Sequence, residues 1–176
     1  MEYLLYVLLG IGLAAACGFR VFVPLLVISI AALTGHLRLA PDFTWLGSWP
    51  ALITFGVATV LEITAYYIPW LDHLLDVAAT PAAIVAGIIV TASVVTGMSP
   101  ILRWTLAAIA GGGVAAAVQL ATVAMRRATT YATAGLAHPL AATLETGGSV
   151  GMSALSLLVP FVAGLLAILL ILVLLC

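Results

Sequence analysis

Lysine is absent from this chain, and charge of either sign is scarce. Five arginines oppose six carboxylates among 176 residues, 6% in all, for a formal net charge of −1. An ordinary globular domain carries about 25% charged residues. The shortage leaves no basic patch for nucleic acid and no charged tail. Cysteine is nearly missing too: Cys17 and Cys176 lie in apolar context at opposite ends, which excludes a disulfide framework and a CxxC metal site. There is no G-x-S-x-G elbow, H-E-x-x-H helix or glycine-rich phosphate loop. Neither catalysis nor a cofactor or resident metal is therefore expected.

Apolar side chains are abundant. Hydrophobic residues make up 65% of the chain and mean hydropathy is +1.35. A chain of this size cannot hide so much apolar surface in its own core, so its solvent is largely lipid. The expectation is one integral domain over 1–176 in the cell (inner) membrane. Its fold class would be all-α, a polytopic transmembrane bundle of five to six spans with broken or re-entrant hairpins. The first charge is Glu2 rather than a basic cluster, and the apolar run outlasts a signal peptide. The N-terminus is therefore read as mature.

A spanning helix needs about 20 mainly apolar residues. Residues 3–35 are apolar apart from Arg20, with Gly18 and Pro24 as breakers, and predict a broken helix or hairpin turning at Gly18 to Pro24. Residues 36–49 form a polar loop with interfacial Trp45 and Trp49. Further spans are expected at about 50–70, 81–97, 104–125 and 150–175. Pro81 suits the start of the second of these. Gly111-Gly112-Gly113 reads as a site of close helix packing. Residues 128–149 are too polar for a lipid-facing span and too apolar for an ordinary loop, so a re-entrant segment is expected there. Arg38 and Arg103 then fall on one side and Arg126 and Arg127 on the other, a balance that leaves the orientation open.

Four stretches carry a resemblance: Gly18-Phe19-Arg20-Val21-Phe22-Val23-Pro24-Leu25; Glu62 with Ile68-Pro69-x-x-Asp72 and Asp76; Arg127-Ala128-Thr129-Thr130; and Gly135-x-x-His138-Pro139 with Glu145. In order and spacing they resemble DUF4126, a family of small bacterial membrane proteins grouped as a domain of unknown function. The likeness covers nearly the whole chain and implies a fold but no activity. Where that family has an Asp-Lys pair, this chain has Tyr66-Tyr67; where it has Asn before the later proline, this chain has His138; and Thr80-Pro81 replaces its Arg-Pro. No role that needs the lysine or the asparagine is carried over.

A charge inside a span costs a few kcal/mol, which makes it a functional hypothesis by default. Glu62 shares a helix face with Thr59 and Tyr66, a stripe able to line a polar route, bind a cation or carry a proton. The plain alternative is a carboxylate that only fixes packing. Arg20 sits at the break, where its fork suits a carboxylate or phosphate or answers Glu62. The alternative is an interfacial turn with Arg20 snorkelling. Gln119, Thr122 and Arg126 form a second stripe with the same offsets, readable either as cavity lining or as interhelical glue. His138 has the pKa range of a proton relay, and Glu145 lies in the same polar stretch. Asp72, His73 and Asp76 form an interfacial polar face, too few ligands for a metal.

Two functions follow. One is a small transporter or channel for an ion or small polar solute, working as a homo-oligomer with a dimer favoured. Its route would pass Arg20, Glu62, Tyr66, Gln119, His138 and Glu145. The other is a non-catalytic binding or assembly subunit that packs in a larger complex or holds a lipid. The first requires the charges to converge on a wet cavity near the midplane; the second leaves them mutually paired and dry.

Overall fold

A computed structural model of the chain describes residues 2–65, 69–133 and 138–175. Side chains are described outside 2, 69–76, 130–133, 138–139 and 174–175. Every regular element among the described residues is helical. In chain order these are α1 (Glu2–Phe19), α2 (Phe22–Leu33), a 3₁₀ stretch (Pro41–Gly47), α3 (Trp49–Ala65) and α4 (Pro69–Val94). There follow α5 (Pro100–Leu106), a π-helical stretch (Ala107–Gly112), α6 (Gly113–Thr133), α7 (His138–Leu158) and α8 (Pro160–Leu175).

The breaks follow from local chemistry. α1 ends at Phe19 and α2 begins at Phe22, so the long apolar run is interrupted at Arg20-Val21. α2 closes on Gly35 at φ +77°, a conformation that suits glycine. There Gly35 N–H donates to the Ala32 carbonyl and His36 N–H to the Ala31 carbonyl, the paired bonds of a Schellman cap. α7 and α8 meet at Val159-Pro160. The ladder continues on either side of this proline, from Val159 N–H to Leu155 and from Ala163 N–H to Val159. The stretch 150–175, expected as one span, is thus divided between α7 and α8 at Val159-Pro160.

One further expectation changes. Pro81 lies inside α4 rather than at its start. Proline denies the Val77 carbonyl its donor, but a helix packed among others tolerates such a gap. Residues 128–149 are helical on both sides of 134–137, as the end of α6 and the start of α7. Within this stretch Glu145 pairs with Arg126 and Arg20, while the turn expected of a re-entrant segment falls on 134–137, outside the described residues.

By length and composition, two helices among the described residues can cross a membrane, Val77–Val94 and Pro100–Thr129. The count rises to three if the 3₁₀ stretch and α3, bent by 63°, act as one span. Five to six spans, as expected from sequence, are not confirmed among the described residues. α1, α2 and α8 are apolar but shorter, because breaks at Arg20 and Pro160 divide the runs.

α1 is the centre of the bundle. Leu13, Ala14, Ala15, Ala16 and Cys17 are all fully buried in succession, so the second half of this helix is enclosed all round. Small residues allow that. A Cβ on Gly10 would come within 2.9 Å of the Thr91 side chain, and one on Gly18 within 2.5 Å of Val118. The hydroxyl of Thr91 donates to the Gly10 carbonyl at 3.2 Å. α4 crosses the π stretch backbone to backbone, where a Cβ on Gly87 would lie 2.7 Å from the Gly111 carbonyl oxygen. At one end of the bundle, buried Arg103 pairs with Asp42 and lies 5.7 Å from the Phe43 ring centre.

Candidate functional site

At the other end four charges gather around the α1–α2 break. An interrupted helix exposes the amides of its second half, which carry the positive end of the helix dipole. Here Glu62, from the last turns of α3, meets them. One carboxylate oxygen accepts from Val21 N–H at 2.8 Å and the other from Phe22 N–H at 3.1 Å. Glu62 therefore serves as the N-terminal cap of α2, supplied by a different helix.

Arg20 is 1% exposed and turns toward α7. Its Nε donates to the Thr146 hydroxyl at 3.2 Å and its Nη2 to the Ala142 carbonyl at 3.0 Å. The same Nη2 lies 3.5 Å from Glu145. Glu145 accepts a two-pronged contact from Arg126 of α6, at 3.1 Å from Nε and 2.8 Å from Nη2. One carboxylate thus answers two guanidiniums. Arg126 and Glu145 are 3% and 8% exposed, and Glu62 is 7% exposed. Two positive and two negative groups balance, and each engages protein partners. Such pairing is what permits charge inside an apolar bundle.

Other polar groups tie the same end. Thr122 bonds the Gln119 carbonyl at 2.9 Å and the Gly18 carbonyl at 3.4 Å, while Ser149 bonds the Ala16 carbonyl at 2.9 Å. The last carbonyls of α1 therefore receive donors from α6 and α7. Two clefts reach the charges. One of about 470 Å³ between α2, α3 and α4 has Glu62 in its wall among Phe22, Leu61 and alanines. A second, of about 290 Å³ between α6 and α7, is walled by Arg126, Glu145, Phe19, Met125 and Leu144.

The structure brings Arg20, Glu62 and Glu145 to one end of the bundle and buries Gln119 at 2% exposure beside them. Tyr66 lies outside the described residues. His138 opens α7, and Asp72, His73 and Asp76 lie on α4, with side chains outside the described set. No group of three or more metal-ligating side chains occurs among the described residues. Sequence reasoning placed Arg126 in a stripe but did not pair it with Glu145, and it overlooked Thr146 and the Ala142 carbonyl. Pairing two charges across the α6–α7 connection was the available signal.

An all-helical bundle with span-length apolar helices and buried, paired charges defines a membrane-type helical protein. The sequence profile described as domain of unknown function (DUF4126) matches residues 7–176. The chain belongs to that family. No curated protein and no solved structure matches it.

Proposed function

We propose that this chain is a non-catalytic, multi-pass binding or assembly protein of the cell membrane. In this reading the charge cluster holds a broken central helix in shape and the clefts take apolar or amphiphilic partners. One observation carries it: Arg20, Glu62, Arg126 and Glu145 are each engaged with protein groups and at most 8% exposed. A solute route needs polar groups that water and solute reach, and both clefts are walled mainly by apolar side chains.

A second reading, a transporter or channel for an ion or small polar solute, is favoured by the break itself. Discontinuous helices whose half-helix N-termini face carboxylates build many transporter sites, and α2 presents its N-terminus to Glu62 in that manner. Flux into liposomes across a panel of ions and small solutes separates the two. The binding reading expects wild-type flux no higher than that of protein-free liposomes. Flux that Glu62→Gln or Arg20→Ala abolishes establishes the transporter reading instead.

A further inference from the structure

We propose that the cleft between the C-terminal half of α6 and the start of α7 binds the phosphate of an anionic phospholipid headgroup, with Arg126 as its anchor. The first support is position. Thr122, Met125, Arg126 and Thr129 line the cleft and lie in the last turns of the candidate span Pro100–Thr129. The end of a span is the level of the headgroups.

The second support is shape. About 290 Å³ suits a headgroup rather than a whole lipid, near the low end of ligand-pocket volumes. Its charged groups are the buried Arg126 and Glu145, while its rim carries Met125, Leu140 and Leu144 at 62%, 67% and 76% exposure. Acyl chains would run along that outward apolar rim.

The third is charge. Arg20 and Arg126 both pair with Glu145 at this end of α6 and α7, while Glu62 is engaged with the α2 amides. Basic pockets between helices near a membrane face take phosphate-bearing headgroups. The sharing of Glu145 makes the exchange feasible. Taking an arginine from a buried carboxylate is normally costly because it strands a charge. Here Glu145 also lies 3.5 Å from Arg20. A phosphate can take the two-pronged fork of Arg126 while Glu145 stays paired.

This site rests on the binding reading above, yet flux is not its readout, so either can fail alone. The test is native mass spectrometry and thermal melting of the full chain in detergent. It is titrated with phosphatidylglycerol, zwitterionic phosphatidylcholine or inorganic phosphate. Ala141→Trp narrows the cleft with Arg126 and Glu145 left in place, and Arg126→Gln removes the anchor. Wild type is expected to retain phosphatidylglycerol and to melt higher with it than with either control. Ala141→Trp should weaken retention by about tenfold or more, equal to about 1.4 kcal/mol, with its lipid-free melting little changed. Arg126→Gln should lose the preference for phosphatidylglycerol; if it does not fold, Ala141→Trp decides alone. Equal shifts from the two lipids would indicate unselective lipid contact, and equal shifts from inorganic phosphate a free-anion site. Either result, or unchanged retention in Ala141→Trp, overturns the proposal.

Discussion

Glu62 explains at the residue scale how a carboxylate persists on an apolar helix. Its two oxygens meet the two amides that the interrupted α1–α2 run leaves over. Replacement by glutamine keeps the size but turns one acceptor into a donor facing an N–H. Glu62→Gln should therefore lower unfolding stability by about 1–3 kcal/mol, the cost of a buried unmet donor, as read by denaturant-monitored circular dichroism. A change under roughly 0.5 kcal/mol, the range of an uninvolved surface site, would show that the cap does not bear on stability. That Glu62 and Arg20 are special was legible in the sequence, because charge in lipid is rare. Their partners were not. Backbone amides have no sequence signature, and the Arg20–Glu145 contact spans 125 positions between α1 and α7, a pairing fixed only by packing.

At the scale of elements, glycines set how closely the helices approach. α4 and the π stretch meet where a Cβ on Gly111 would lie 2.5 Å from the Gly87 carbonyl oxygen, whereas a Cβ on Gly113 meets nothing within 4 Å. Gly111→Ala should cost about 1–3 kcal/mol through forced displacement. Gly113→Ala, in regular helix with open space, should be neutral or stabilising by up to about 1 kcal/mol. Unfolding titrations of the two variants should separate them, and equal effects would contradict the backbone crossing. The triple glycine was legible as a packing feature, but which member packs depends on helix phase. The π stretch shifts that phase and carries no separate mark in the sequence. Pro81 misled for a related reason. A proline predicts a helix start when read locally, yet here it lies inside α4.

The whole molecule divides its polarity between two ends. Arg103 and Asp42 clasp one end, and the four-charge cluster closes the other around the central helix break. Between them the second half of α1 is enclosed by its neighbours. The central claim is that the charges act as one lock with Glu145 at its middle, and stability measured across three variants tests it most directly. Glu145→Gln removes the counter-charge shared by two buried guanidiniums and should cost about 3–5 kcal/mol. Arg20→Gln and Arg126→Gln each leave Glu145 with one arginine and should cost less, about 1–3 kcal/mol. A loss in Glu145→Gln no larger than in either arginine variant would contradict the lock.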